Sequence, residues 1–84
     1  MKLSIYSIQR TLFEGKVESV TLPTLMGEIT VLDNHIPLIS LVNSGAVRYT
    51  HSGIEKTLSL EGGVLEVRPE NEIVILATEK SEGR

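Results

Sequence analysis

The sequence predicts an all-β protein, a small antiparallel β-sandwich or flattened barrel of about eight short strands. Three observations support this fold class. Apolar and polar residues alternate with a period of two, strand-like runs recur roughly every ten residues, and turn-forming Gly, Pro, Asn and Asp separate the runs. No stretch keeps a helical period. The length of 84 residues fits one domain, expected over residues 1–80, with residues 81–84 as a frayed tail.

Two strands are expected near the start of the chain. Residues 2–8 alternate regularly and form the first. The second spans residues 15–22, follows an apolar anchor at Leu12 and Phe13, and ends at Pro23, which cannot donate to a ladder. Its two valines, Val17 and Val20, lie an odd number of residues apart, so a bulge near residues 18–19 is predicted.

The middle of the chain predicts two strands joined by a polar turn. Residues 28–32 alternate, and Asp33 with Asn34 then turns the chain, because both side chains tolerate left-handed backbone geometry. Pro37 holds the residue before it in an extended conformation. The run Leu38–Val42 is largely apolar and is predicted to be a strand buried on both faces.

The second half of the chain predicts two further strand pairs. They are residues 46–50 with 54–60, and residues 64–68 with 73–77. The segment His51-Ser52-Gly53 gives a hairpin signal, with His51 expected to be a solvated turn residue. Gly62 and Gly63 indicate a turn or a close approach of two backbones.

Composition excludes several classes of function. Eight basic and eleven acidic residues are interspersed along the chain and give a net charge of −3. Nucleic acid is therefore not expected as a partner, since phosphate binding needs a concentrated basic face. The absence of cysteine excludes disulfides and thiolate metal sites. No apolar run approaches the ~20 residues that span a bilayer, so membrane contact is expected only through partners.

Candidate catalytic residues are few. Asp33 and His35 could form a base with its orienting group, and Ser40 or Ser44 lies nearby in sequence, yet none resembles a nucleophile elbow. Asp33, His35 and Glu28 match no known metal-ligand spacing, and no cofactor is expected. A small hydrolase or metal enzyme centred on Asp33 and His35 is one hypothesis, and a stand-alone module that binds a peptide or sugar is another.

Leu25 and Met26 are unusual because they place two apolar side chains in a connecting loop between Pro23 and Gly27. They could plug the end of the sandwich. Alternatively, they could form an exposed apolar contact for another subunit.

Three segments together resemble the N-terminal domain of the ε subunit of F-type ATP synthase, which is called δ in mitochondria. Residues 13–20 are similar to the family's F-x-G-x-V-x-x-V opening. Residues 27–38 are similar to G-E-x-G-V-L-P-x-H-x-P-L. Residues 60–67, with Asn71 and residues 74–77, are similar to S-G-G-x-x-E-V followed by N-x-V-x-V-L-A. The resemblance covers about residues 2–80.

The chain departs from this pattern at several positions. Thr30 stands where the family usually has Gly, Asp33 and Asn34 replace a Pro-Gly-like turn, and Glu61 replaces a small residue. The family also adds a C-terminal helical hairpin beyond the matched segment. The hairpin's functions, ATP binding and inhibition of ATP hydrolysis, are therefore not carried over.

The resemblance implies a ten-stranded β-sandwich at the foot of the rotating central stalk of F1Fo ATP synthase. It implies a non-catalytic rotor subunit that links the γ subunit to the ring of c subunits and couples proton translocation to ATP synthesis. It also implies a peripheral location on the cytoplasmic face of the bacterial inner membrane.

The resemblance further implies two contact sites. The expected c-ring interface comprises Thr24, Leu25, Met26, Gly27 and Glu28. The expected γ interface comprises Asp33, Asn34, His35, Ile36, Pro37 and Leu38. At the first site the Glu28 carboxylate would add specificity more than affinity.

Overall fold

The computed structural model describes residues 1–79, which form eight β-strands and no helix. The strands are β1 Lys2–Tyr6, β2 Thr11–Lys16, β3 Ser19–Thr24, β4 Gly27–Val31, β5 Leu38–Val42, β6 Gly45–His51, β7 Ile54–Arg68 and β8 Glu72–Glu79. The all-β class is confirmed, with eight strands in place of the ten that the resemblance implies. The expected tail, residues 81–84, lies outside the described residues. No helix in the described part is long and apolar enough to cross a bilayer.

The strands form two layers that share β7. One layer runs in the order β2-β1-β8-β7-β5, and the other places β6 beside β7, β3 beside β6 and β4 beside β3. The first half of β7 pairs with β6, and its second half pairs with β5 and β8. A single residue pair, Thr24 with Val42, joins the layers again through β3 and β5. The β1–β8 pair is parallel and every other strand pair is antiparallel.

One hydrophobic core lies between the layers, because alternate residues of each strand point inward. Its members come from both layers: Leu3, Ile5, Val17, Val20, Leu22, Val31, Val42, Val47, Tyr49, Leu60, Leu65, Val67, Ile73, Ile75 and Ala77. Every buried side-chain nitrogen or oxygen in residues 1–79 has a hydrogen-bond partner. The two layers are therefore packed as one body, and close-packed interiors deform little under load.

The single strand predicted over residues 15–22 is wrong, because the chain changes layers inside it. β2 ends at Lys16, and β3 begins at Ser19. Between them the Val17 N–H donates to the Met1 carbonyl, and the Glu18 N–H donates to the Thr50 carbonyl, both at 2.9 Å. A change of layer, and not a bulge, thus explains the spacing of the two valines. The expected anchor at residues 12–13 is part of β2.

Three strand boundaries also differ from the prediction. β1 ends at Tyr6, two residues early, because the Ser7 N–H turns back to the Arg10 carbonyl at 2.8 Å. Pro23 does not end its strand, since β3 continues to Thr24. The strands predicted over residues 54–60 and 64–68 are one continuous strand, β7. Within β7 the two glycines mark a close backbone approach, as a Cβ on Gly63 would collide with the backbone of β8.

β5 is not buried on both faces as predicted. Leu38 and Val42 face the core, whereas Ile39 is 73% exposed and Leu41 is 55% exposed. Within residues 1–79 no second layer covers the outer face of the sheet at this strand. The apolar run of β5 therefore combines core residues with two apolar residues, Ile39 and Leu41, that lie on the exposed face of the sheet.

His51 is not a solvated turn residue. The hairpin itself is confirmed, with Ser52 and Gly53 at positive φ between β6 and β7. His51 is the last residue of β6, half-buried, and its ring lies edge-on to Phe13 at a centroid distance of 5.4 Å. Its Nδ1 lies 2.6 Å from the Lys16 carbonyl and donates to it, because a carbonyl can only accept. The histidine thus helps to close one side of the sandwich.

Candidate functional site

The turn between β3 and β4 carries two exposed apolar side chains. Leu25 is 65% exposed and Met26 is 72% exposed. They do not plug the end of the sandwich, so the first of the two sequence-based alternatives is wrong. Both residues keep negative φ, and Gly27 takes a φ of 103°, as the residue after such a turn commonly does. The turn is therefore short and has a defined backbone shape.

The buried hydroxyl of Thr24 closes this turn from within. It donates to the Gly27 carbonyl at 2.8 Å and accepts from the Met26 N–H at 3.1 Å. Thr24 is 1% exposed, so its hydroxyl is shielded from water, and both bonds are partly buried. The expected site residue Thr24 thus supports the turn from below and does not lie on its surface.

A second set of bonds ties the same turn to β5. The Leu25 N–H donates to the Leu41 carbonyl at 3.3 Å. The Asn43 N–H donates to the Pro23 carbonyl at 3.0 Å, and the Asn43 side-chain amide donates to the Thr24 carbonyl at 3.1 Å. The exposed side chains of Leu25 and Met26 are consequently held on a rigid backbone.

Glu28 follows the apolar turn and is paired with a cation. Arg48 Nη2 on β6 donates to Glu28 Oε2 at 3.0 Å, and both side chains are substantially exposed. Glu28 therefore lies at the rim of the turn, where the sequence analysis placed it, with part of its charge compensated.

The second expected site, residues 33–38, comprises most of the β4–β5 loop and the first residue of β5, and the loop is anchored to two other parts of the chain. The Met1 ammonium nitrogen lies 3.3 Å from Asp33 Oδ1. The Asn34 N–H donates to Asn71 Oδ1 at 2.6 Å. Asn34 has a φ of 65°, which confirms the predicted turn. These bonds fix the first half of the loop.

The second half of the loop presents side chains of mixed character. The His35 N–H donates to the Leu32 carbonyl at 3.2 Å, and His35 Nδ1 lies 2.7 Å from the Ile36 carbonyl. Ile36 is 74% exposed and Pro37 is exposed, whereas Leu38 packs against the core. The second half of the loop thus offers one large apolar side chain, Ile36, beside an imidazole.

The two expected sites lie at opposite ends of β4. This strand has five residues, so the two ends are separated by roughly 13 Å at the usual rise of a strand. The β3–β4 turn precedes Gly27, and the β4–β5 loop follows Val31. The structure therefore does not bring the two sets of residues together into one site, and a different partner could contact each end.

A third surface was not predicted. Ile39, Leu41, Val64 and Leu76 form an apolar patch on the outer face of the β8-β7-β5 portion of the sheet, called here the outer patch. Leu41 is opposite Val64, and Val64 is opposite Leu76, so the three share one face. The patch adjoins the β4–β5 loop through β5, beside a shallow groove of about 380 Å³ that runs from Pro37 to Pro69. This patch was not identified from the sequence, because β5 was predicted to be buried on both faces. Ile39 and Leu41 are two residues apart, so they lie on the same face of a strand.

The candidate catalytic and metal residues are not assembled into a centre. Asp33 faces the Met1 amino group, the His35 imidazole faces a backbone carbonyl, and Glu28 is paired with Arg48. Residues 1–79 contain no group of three His, Cys, Asp or Glu side chains placed to hold a metal ion. The hypothesis of a centre built on residues 33 and 35 has no geometric support.

The opposite outer face, on β3, β6 and β7, is polar. A hollow of about 220 Å³ is lined by Ser19, Thr21, Arg48, Thr50 and Glu55. A stand-alone module that binds a peptide or sugar would have such a polar groove, and it would be stable without an exposed apolar patch. The outer patch therefore counts against that hypothesis.

An ion pair fixes the end of β8 to the β1–β2 connection. Arg10 Nε and Nη2 donate to the two Glu79 carboxylate oxygens at 3.2 and 3.0 Å, and Ser7 Oγ donates to Glu79 Oε2 at 2.6 Å. These donors, with the Arg10 charge, lower the pKa of Glu79. The last described residue of the fold is thereby held in place.

Rigid turns that expose apolar side chains are typical of domains that act through contacts with other protein chains. The chain belongs to the ATP synthase delta/epsilon family. The family model of the delta/epsilon chain β-sandwich domain matches residues 1–82.

Curated relatives agree with this assignment. The chain is 35% identical over 77 residues to the ATP synthase epsilon chain of Neisseria meningitidis, covering 89% of this chain and 55% of the relative. It is 42% identical over 72 residues to the epsilon chain of Dichelobacter nodosus, covering 84% and 50%. The chain thus spans about half the length of these relatives. The name of these relatives agrees with the resemblance to an ATP synthase epsilon subunit.

Solved structures support the fold. A chain of the Euglena gracilis mitochondrial ATP synthase, in an OSCP/F1/c-ring structure, superposes with a TM-score of 0.86 at 20% identity, covering 92% of this chain and 49% of the other. A chain of the Tetrahymena thermophila mitochondrial ATP synthase central stalk and c-ring superposes with a TM-score of 0.78 at 12% identity, covering 93% and 63%. At these identities the comparison establishes the β-sandwich fold.

Proposed function

We propose that this chain is a rotor component of F1Fo ATP synthase that links the γ subunit to the c-ring and thereby couples proton translocation to ATP synthesis. The observation that carries the proposal is that two exposed segments, the β3–β4 turn and the β4–β5 loop, are held by hydrogen bonds at opposite ends of β4. Family membership and the epsilon-chain relatives support it.

We assign the c-ring contact to the β3–β4 turn. Leu25 and Met26 supply exposed apolar area on a backbone that does not need to be ordered on binding, which lowers the entropic cost of association. Glu28 at the rim adds a charge that can select polar or basic groups on the ring.

We assign the γ contact to residues 33–38 together with the outer patch. Ile36 and Ile39 are both mostly exposed and lie on consecutive parts of the chain. The groove between Pro37 and Pro69 lies beside them and could receive a side chain of γ. Exposed apolar side chains grouped on one face of a sheet, here bordered by the ion pair of Glu66 and Arg68, are typical of a surface that a partner covers.

A rotor part must transmit torque without deforming, and the fold is suited to this because β7 belongs to both layers. The domain would lie peripherally at the membrane, on the cytoplasmic face in a bacterium, and would contact the lipid only through its partners.

Binding of the purified chain to cognate γ and to assembled c-rings tests the proposal. Wild type is expected to bind both. The variant L25S/M26S is expected to lose ring binding and keep γ binding, and I36S is expected to weaken γ binding and keep ring binding. I54S is the matched control, because Ile54 is similarly exposed but belongs to neither segment. The proposal would be overturned if wild type bound neither γ nor the c-ring.

A further inference from the structure

The turn between β7 and β8 makes contacts to two other parts of the chain through one residue, Asn71. Its backbone carbonyl accepts from the Lys2 N–H at 2.9 Å, at the start of β1. Its side-chain oxygen accepts from the Asn34 N–H at 2.6 Å, in the β4–β5 loop. Asn71 thus joins the beginning of the first strand, the turn before the last strand and the loop assigned to γ.

The backbone shape of this turn favours an asparagine at position 71. Asn71 has a φ of 59° and follows Glu70 at 67°, so two consecutive residues occupy the left-handed region. Asparagine enters that region at less cost than most residues. Glycine would adopt the backbone at least as easily, but only a side chain with an acceptor oxygen can also reach Asn34.

We infer that Asn71 is a positioning residue for the γ interface, an inference that rests on the proposed function. The bond to Asn34 holds the turn that precedes His35 and Ile36, and both of these side chains would face γ. A loop already held in its bound shape loses less conformational entropy on association. Asn71 would therefore act on γ affinity without touching γ.

The second anchor of the loop is weaker. The Met1 ammonium group contacts Asp33, whose side chain is 65% exposed, so the attraction is largely screened by solvent. The Asn34–Asn71 bond also lies at the exposed surface, but it is shorter, 2.6 Å against 3.3 Å, and it holds the backbone of the loop directly. Removal of the Asn71 side chain should therefore loosen the loop even when the contact between Met1 and Asp33 is intact.

Two substitutions at position 71 separate the side chain from the backbone. N71G keeps the left-handed backbone and the carbonyl that serves Lys2, and removes only the oxygen that serves Asn34. N71D keeps an acceptor oxygen in nearly the same place. E70G is the matched control, because it relaxes the neighbouring left-handed residue and leaves the Asn34–Asn71 bond in place.

Two measurements test the inference. Amide hydrogen exchange in the isolated chain is expected to speed up at Asn34 by roughly tenfold in N71G, and by less than about twofold in N71D and E70G. The affinity for γ is expected to fall by roughly three- to tenfold in N71G, and to stay within about twofold of wild type in the other two variants. Rescue by N71D is a result that a merely structural role for the turn would not give.

The outcomes distinguish this inference from the proposed function. If wild type binds γ and N71G binds equally well, Asn71 does not position the interface. Equal loss of affinity in N71G and N71D would also overturn the inference, because the acceptor oxygen would then be irrelevant. If wild type does not bind γ at all, the proposed function fails, whereas the exchange rate of the Asn34 amide still reports whether the bond orders the loop.

Discussion

Arg48 on β6 donates to Glu28 on β4 at 3.0 Å, so the acidic residue at the rim of the apolar turn already has a cation beside it. The pair joins two strands that are not neighbours, since β3 lies between β4 and β6. It also reduces the negative field that a partner would meet at this rim.

Neutralising either member of this pair should change binding far more than stability. E28Q and R48Q are each expected to change the free energy of unfolding by less than about 1 kcal/mol, because exposed ion pairs contribute little. The association rate with c-rings is expected to lose salt dependence in E28Q and to gain it in R48Q, because the carboxylate is then uncompensated. Urea unfolding and association kinetics at two salt concentrations measure these effects. A shift of both variants in the same direction would contradict the assigned role of Glu28.

The Thr24 hydroxyl should be more important for stability than any other hydroxyl of the β3–β4 hairpin. T24V keeps the shape of the side chain but leaves the Gly27 carbonyl and the Met26 N–H without their partner. The expected loss of unfolding free energy is roughly 1 kcal/mol, because both bonds are partly buried and water replaces them only in part. Chemical denaturation measures it.

The control for T24V is T21V. Thr21 shares a hydrogen bond with Thr30 on the outer face of the same hairpin, at 2.9 Å and exposed to solvent. Its removal is expected to cost less than about 0.5 kcal/mol, because water replaces the lost bond. Equal losses in the two variants would show that the Thr24 bonds do not hold the turn.

Replacing Gly63 with alanine should strongly destabilise the fold. A Cβ at this position would collide with the Leu76 carbonyl on β8 and would lie 3.1 Å from the Ala77 Cα, and neither backbone atom can move independently of its strand. We expect a loss of roughly 2–4 kcal/mol in thermal or urea unfolding. G53A is the comparison, because nothing lies within 4 Å of a Cβ there, so only the cost of its positive φ is measured.

Acid should destabilise the chain partly through Glu79. Hydrogen bonds from Arg10 and Ser7 lower the pKa of Glu79 in the folded state from its ordinary value of 4.5. A depressed carboxyl pKa stabilises the fold above the ordinary value, and this contribution is lost as the pH falls through the folded-state pKa. The stability difference between wild type and E79Q should therefore be constant near neutral pH and shrink below about pH 4.5. A difference that does not change with pH would show that the ion pair is not formed in solution.

The alternation of apolar residues was sufficient to predict the fold class and most turns, because period and turn chemistry are local properties. The turn at Asp33 and Asn34 and the hairpin at Ser52 and Gly53 were predicted on that basis and are confirmed. Layer changes are not local. The break at residues 17–18 depends on partners at Met1 and Thr50, which no window around it contains.

The same difference between local and non-local properties applies to the candidate site. Exposed Leu25 and Met26 could be flagged from sequence because apolar residues are rare in short loops, but their exposure depended on what covers that end of the sandwich. The outer patch was missed because the sequence of an apolar run does not show whether the second face of the strand is buried in the protein or exposed. Asn71 could be matched to a motif, whereas its reach to Asn34 requires the three-dimensional fold.

The parallel pairing of β1 with β8 has a consequence for biosynthesis. Lys2 is opposite Glu72, and Tyr6 is opposite Leu76, so among residues 1–79 the first strand of the domain pairs, on the side away from β2, with the eighth strand. Until β8 has left the exit tunnel, Leu3 and Ile5 have no completed core to enter. Pairings this distant in sequence are slow to form, because a long loop must close before any contact compensates for it. The domain should therefore fold late, after synthesis of nearly its whole length, and the nascent β1–β2 hairpin is the part that chaperones would encounter exposed.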